Sequence, residues 1–421
     1  MIHTARGAAA ALLALLLSTP ALGACSTGAF DHPAGGTASP AAASAASSQH
    51  KRLSLPRPTG SYATGRDTLQ LTDRTRRDPW VPSAGPRRLM VSLFYPARKG
   101  DGEGEGGRGR YMSAEEAGLL LKERKLGAYF TAGQVASTRT HARTGARPAR
   151  GRHPLVLLSP GFTLHRATLT GLAEELASHG YVVALVDHAY ESSGTTFPGG
   201  GGAKTLPCVA CETVEKEPDD AAEKKRLARA ARDRAADLSV VVDELTGRRK
   251  GDRPSGHDWS ALVDPRRIGA AGHSLGGNAA AVAAGEDHRI RAAANLDGSF
   301  FAPVPRAGST RPVLMLGTRK SHTPQAQDAT WPRQWMRLHG WKRWLTVKDA
   351  GHFSFTDLPV LGDRIGVSDP SAPLSGKRSG QITTRYVTAF FDQQLSGRHR
   401  ELLEGPTEEN PEVAFHNGGR P

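Results

Sequence analysis

Gly272-His273-Ser274-Leu275-Gly276-Gly277 is the stretch whose reading decides the fold. Just before it, Pro265-Arg266-Arg267-Ile268-Gly269-Ala270-Ala271 ends in a short apolar run and reads as a buried strand. Just after it, Asn278-Ala279-Ala280-Ala281-Val282-Ala283-Ala284 is rich in strong helix formers and ends at Gly285. The spacing predicts a strand, a sharp turn carrying Ser274, and a helix. The flanking glycines fit such a turn, because side chains there would collide with the strand and helix. A helix N-terminus behind the serine also favours negative charge developing beside it.

Strand, G-x-S-x-G and helix together make up the nucleophile elbow of α/β-hydrolases. A serine hydroxyl is a weak nucleophile near neutral pH and needs a histidine base with a carboxylate behind it. In this fold the chain order is serine, acid, histidine. Six histidines follow Ser274: His288, His322, His339, His352, His399 and His416. Only His352 comes directly after an apolar strand at a glycine turn, in Trp344-Leu345-Thr346-Val347 followed by Asp349-Ala350-Gly351-His352. For the acid, Asp297 ends the strand that follows the elbow helix, and Asp328, in a polar loop beyond the next strand, is the runner-up. An oxyanion hole needs two backbone N–H donors. Leu275 supplies one, and Phe162 in Ser159-Pro160-Gly161-Phe162 supplies the other.

Outward from the elbow, strands and helices alternate through one long region. Residues 155–158 and 181–186 read as buried strands flanking a helix over 170–178, which is a βαβ unit. Residues 289–296 and 312–317 read as further strands, and 382–395 as a closing helix. Residues 69–71 and 89–95 suit an N-terminal antiparallel pair, with a polar, turn-rich stretch over 73–86. Residues 114–126 have helical spacing, 99–110 read as a surface loop, and 137–153 as a basic loop. A long helix over 219–246 places Leu227, Ala231, Arg234, Leu238, Val241 and Leu245 on one stripe, with the charged run 223–234 projecting into solvent. The fold class is therefore α/β: one doubly wound, mostly parallel sheet in the α/β-hydrolase arrangement. Residues 59–405 form the catalytic domain, and 406–421 a polar tail.

Residues 189–218, Gly-rich and leaving the sheet on the serine's side, read as a mobile flap. They hold Cys208-Val209-Ala210-Cys211, and in an exported chain a local disulfide is the better reading than a metal or redox pair. His188 reads as a structural or pocket-lining histidine.

Residues 1–24 read as an export signal, with Arg6, an apolar core over 8–17 and a break at Ser18-Thr19-Pro20. That core is too short to span a membrane. Leu22-Gly23-Ala24-Cys25 resembles a bacterial lipobox, making Cys25 a lipidation candidate that would anchor the protein at a membrane. Cleavage at the nearby small residues is the alternative. Residues 25–58 are too poor in large apolar side chains to fold and read as a tether. The net charge of +14 is scattered through the chain, without zinc-finger spacing or basic runs interleaved with aromatics. It points away from nucleic acid and leaves anionic lipid or an acidic envelope open.

The chain resembles the platelet-activating-factor acetylhydrolase, isoform II-like, family over most of residues 59–405. The resemblance rests on residues 89–96, Ser159-Pro160-Gly161-Phe162, Gly272-His273-Ser274-Leu275-Gly276-Gly277, and residues 349–357 with His352 and Asp357. It implies Asp297 as the acid, because the family places that residue after the strand following the elbow. It also implies a secreted serine esterase without cofactor or metal, acting on short-acyl esters, 1-alkyl-2-acetylglycerophosphocholine-type lipids among them. Ser-Pro-Gly-Phe departs from the His-Gly-Leu-Gly of the animal enzymes and looks like the Ser-Pro-Gly-aromatic of bacterial polyester hydrolases. A polyester or cutin-type substrate, or a binding protein on a hydrolase fold, are the other readings.

Overall fold

Leu155, Leu157, Val182, Ala184 and Val186 enter one hydrophobic cluster, while Val156, Leu158, Val183 and Leu185 enter another. Successive side chains of a strand point to opposite faces, so these strands are buried on both. That is why they are uninterrupted apolar runs in the sequence. A computed structural model describes residues 52–98, 107–198, 202–248, 258–306 and 310–417. The expected leader 1–24, Cys25, residues 26–51 of the expected tether and residues 99–106 of the loop lie outside the described residues.

The elements run β1 (Ala63–Arg77), β2 (Pro86–Ala97), α1 (Ala114–Glu123), α2 (Ala132–Ala136), β3 (Arg143–Thr144), β4 (His153–Ser159), α3 (Thr170–Ser178) and β5 (Val182–His188). Then come β6 (Thr195–Phe197), β7 (Lys204–Leu206), α4 (Val209–Glu215), α5 (Asp220–Leu245), β8 (Val263–His273) and α6 (Leu275–Glu286). The rest are β9 (Ile290–Leu296), β10 (Val313–Thr318), α7 (Thr330–Arg337), β11 (Lys342–Val347), α8 (Asp357–Ile365), α9 (Gly376–Ser396) and β12 (Val413–His416). The main sheet has the order β12-β11-β10-β9-β8-β4-β5-β2-β1-β3, with β11 through β5 parallel. Residues of α5 and α6 fill one cluster and those of α3 and α9 the other. This is the α/β-hydrolase fold. From β4 the chain steps to β5 on one side and later returns to β8 on the other. The carboxyl ends of β4 and β8 thus meet at a topological switch point, where ligands bind in open α/β sheets.

The structure corrects several expectations. β1 continues to Arg77 through the stretch expected to be turns. Its polar end is fixed by ion pairs, Asp73 to Arg76 at 2.6 Å and Arg76 to Asp237 at 2.6 Å. In α5 the burial begins at Leu227, so the charged run does not project as a block, and Arg234 is buried. The tail is not outside the fold, because Val413–His416 pairs antiparallel with β11. Nor does the tether extend to residue 58. Leu53 and Leu55 are buried, Leu55 N–H donates to Arg139 O at 3.0 Å, and Arg139 N–H donates to Leu53 O at 2.9 Å. The expected flap is packed: β6 and β7 form a hairpin, and Phe197 and Leu206 are buried against Met90, Ala189 and Tyr190. Cys208 and Cys211 are joined as a disulfide at the start of α4. Among the described residues no helix is long and apolar enough to cross a membrane.

Candidate active site

The residue before α6 decides the geometry. Ser274 has φ 55° and ψ −125°, a backbone conformation that costs energy for a residue with a Cβ and is held only by its surroundings. Its N–H donates to Leu296 O at 2.8 Å, and its carbonyl accepts from Gly277 N–H at 2.9 Å. Gly276 is needed because a Cβ there would lie 2.1 Å from Ser159 O, in the neighbouring strand's carboxyl end. The tight turn thereby lifts a half-buried Ser274 above the sheet edge.

His352 follows β11 and Asp297 follows β9, and the structure brings both to Ser274. Ser274 Oγ–H faces His352 Nε2 at 3.0 Å. His352 Nδ1–H donates to Asp297 Oδ2 at 2.7 Å. Asp297 is almost wholly buried and itself has a positive φ of 56°. Burial alone would raise its carboxyl, but His322 and His352 overcome this and hold it well below the usual carboxylate range. The arrangement supplies an oriented base for a serine nucleophile, with an ionised carboxylate to stabilise the imidazolium that forms.

The residue between Gly272 and Ser274 has its own task. His273 is buried, and its Nε2–H donates to the His352 carbonyl at 2.7 Å. Burial, then the neighbouring His352, push its imidazole down to about 3, so it stays neutral. Its ring also lies where a Cβ on Gly161 would be, 2.7 Å from Nδ1. His273 therefore links the elbow, the His352 loop and the loop after β4.

That loop contains both Phe162 and Gly161. The Phe162 N–H is not engaged by the loop's internal hydrogen bonds, and Leu275 N–H, in the first turn of α6, has no intrahelical acceptor. The loop is braced from behind by buried charge. Arg234 donates to Pro160 O at 2.7 Å and pairs with Glu191 at 2.7 Å. Arg87 pairs with Asp78, Glu191 and Asp237 at 2.6–2.9 Å. Asp237 accepts from His188 Nδ1–H at 2.8 Å, and His188 Nε2 meets Ser159 Oγ at 3.0 Å. Ser159, His188 and Asp237 thus repeat the residue types of the surface constellation. At 0–1% exposure they cannot meet a substrate, and they hold the loop instead.

The sequence reading missed two features. Asp328, the runner-up acid, does not approach His352; it contacts His322 at 3.2 Å and Ser299 at 2.7 Å. His322 in turn reaches the other oxygen of Asp297 at 2.6 Å. No motif marks His322. Arg234 was signalled, because a charged residue on the apolar stripe of a helix needs a buried partner.

With this geometry in place, comparison with known proteins is informative. A family model described as platelet-activating factor acetylhydrolase, isoform II, matches residues 46–400. The chain belongs to that family. It is a serine carboxylic ester hydrolase. It is 27% identical to a probable 1-alkyl-2-acetylglycerophosphocholine esterase of Arthroderma benhamiae over 88% of this chain and 95% of that protein. It is 24% identical to the platelet-activating factor acetylhydrolase of Bos taurus over 74% of this chain and 70% of that protein. Among solved structures it is similar to a ferulic acid esterase from Streptomyces cinnamoneus, with a TM-score of 0.71 and 41% identity. That match covers 86% of this chain and 99% of that one.

Proposed function

We propose that this protein is an exported esterase in which Ser274, His352 and Asp297 act as a catalytic triad on esters of compact acids, hydroxycinnamoyl esters first among them. The observation that carries the triad is the unbroken hydrogen-bonded line from Ser274 Oγ through His352 to Asp297, at 3.0 and 2.7 Å. Ser274 Oγ attacks the ester carbonyl while His352 Nε2 takes its proton. The carbonyl oxygen becomes an oxyanion facing the N–H groups of Leu275 and Phe162. The imidazolium, oriented by Asp297, then protonates the departing alcohol, leaving an acyl group on Ser274. Water, deprotonated by His352, attacks that acyl group, and collapse returns the acid and the free serine.

The substrate class rests on likeness and on the walls of the site. The 41% identity to a ferulic acid esterase exceeds that to the phospholipid esterases. Phe162 and Phe353 are half-buried, and the Phe353 ring packs edge-on to His352 at 5.5 Å between centroids. An aromatic ring against His352, and a second in the loop of the proposed oxyanion donor, suit a flat aromatic acyl group. The family match favours a second reading, in which the ester is the acetyl group of a 1-alkyl-2-acetylglycerophosphocholine-type lipid. Export is supported by the leader-like residues 1–24, and surface anchoring by the lipobox-like residues 22–25.

A substrate panel tests this: methyl ferulate, p-nitrophenyl esters from acetyl to long acyl, an acetylated ether phospholipid and polyester film. Highest kcat/KM on ferulate is expected. Preference for the phospholipid would establish the second reading, and activity confined to film would reject both.

A further inference from the structure

Asp297 serves two imidazoles, and only one of them belongs to the line that ends at Ser274. Its Oδ2 accepts from His352, while its Oδ1 accepts from Thr318 N–H at 2.6 Å and faces His322 Nδ1 at 2.6 Å. His322 is almost wholly buried. Its other nitrogen, Nε2, faces Asp328 Oδ2 at 3.2 Å. Asp328 already accepts from Ser299 Oγ–H at 2.7 Å and from Thr330 N–H at 2.7 Å. An ionised carboxylate only accepts hydrogen bonds, and a neutral imidazole has only one N–H. Two carboxylates on the two ring nitrogens therefore require both nitrogens to carry a proton.

We infer that His322 is a positioning residue charged through neutral pH, an imidazolium that shares Asp297 with His352 and thereby sets how strongly His352 holds its proton. The inference rests on the triad proposed above. Its ring is fixed for that role. It stacks on Trp331 at 4.2 Å between centroids and 25° between planes, and Trp344 Nε1–H donates to its carbonyl at 2.6 Å. Burial opposes its charge, yet Asp297 and Asp328 push the imidazole up to about 9. The other ionisable groups around this centre are few. His352 lies across Asp297, neutral His273 lies behind His352 with Arg124 beyond it, and His416 packs on the far side of Trp344 near Arg319.

The consequence has a definite sign. A fixed positive charge on the same carboxylate disfavours a second positive charge on His352. Without His322, Asp297 would hold the His352 imidazolium more tightly, and the enzyme would lose activity on the acid side first. Together with Thr318 N–H, His322 also holds Oδ1 of Asp297 in place and so keeps the carboxylate from rotating about its His352 contact.

The test is kcat/KM against pH for the full-length protein and for H322Q. The expected result is an acid limb displaced upward by about one pH unit, with a much smaller loss at alkaline pH. A uniform loss at every pH would make His322 merely structural and overturn the inference. If H322Q does not fold, nitrogen NMR of the histidine-labelled natural protein decides. One buried imidazole should stay doubly protonated through neutral pH, and D328N should lower its titration midpoint. A neutral His322 at pH 7, with the proton on Asp328 instead, would overturn it. Loss of the triad reading itself would show differently, as unchanged turnover in S274A.

Discussion

Asp297 accepts from Thr318 N–H and meets both His322 and His352, so its replacement is informative at the residue scale. Asp297→Asn keeps the shape but replaces one of the two accepting oxygens with an NH2 donor; with the oxygen kept toward Thr318 N–H and His322, the NH2 faces His352. It should lower kcat by about three to four orders of magnitude while substrate binding changes little, as steady-state kinetics would show. Asp357 makes a different prediction. It is buried at the start of α8, accepting from Gly171 N–H at 3.1 Å and Tyr111 Oη–H at 3.1 Å, and burial pushes its carboxyl up to about 8. A carboxyl whose folded value is raised holds its proton more tightly in the folded state than in the unfolded chain. Stability is then greatest below the unfolded value near 3.8 and declines as pH rises toward about 8. Asp357→Asn should flatten that decline, so its melting temperature should exceed the parent's at about pH 8 and match it near pH 4. A parallel pair of melting curves would show the carboxyl to be ionised throughout. Ser274, His352 and Asp297 were all legible in the sequence because each follows an apolar strand at a turn of recognisable chemistry. His322 was not, because what makes it matter is a second oxygen of Asp297, and only three dimensions bring that oxygen near.

Among the elements, the loop Ser159–Phe162 depends on neighbours far away in sequence. Arg234 reaches it from the middle of α5, with its charge answered by Glu191. Arg234→Ala would leave Glu191 short of a partner and the Pro160 carbonyl without its donor. Displacing an oxyanion donor by about 1 Å costs roughly a hundredfold, so kcat should fall by that order with KM nearly constant. Arg234→Lys should recover only part of it, lacking the planar fork. Equal kcat in Arg234→Ala would free the loop from this brace. The disulfide is a contrasting case. Cys208 and Cys211 are three apart, so little chain entropy is at stake. The hairpin beside them is held by Phe197 and Leu206. Double replacement by serine should therefore leave the melting temperature nearly unchanged in a thermal scan. Sequence reading saw glycines over 189–218 and expected mobility, but the few large apolar residues there sufficed to pack the segment.

Across the whole molecule, a mostly parallel sheet with helices on both faces could be anticipated because parallel strands buried on two faces are continuous apolar runs. The edges could not. β1 extends through charged residues that pair with α5, and β12 is a four-residue strand whose two strong signals, Val413 and Phe415, are too few to stand out in a polar segment. β12 covers β11, and its lead-in is tied to α9 through Arg378 and Glu412 at 2.7 Å. Deleting residues 406–421 should expose the β11 edge, lower the melting temperature by several degrees and promote association at high concentration. Unaltered melting would show that β12 is dispensable. All of this positions one hydroxyl, and the central claim is that Ser274 is the nucleophile. The direct measurement is reaction with a fluorophosphonate, followed by peptide mass spectrometry and residual ester hydrolysis on the same sample. The account predicts one adduct, on Ser274, rising in step with the loss of activity and absent in His352→Ala. Full inactivation with Ser274 unmodified, or full modification of Ser274 with activity intact, would contradict it.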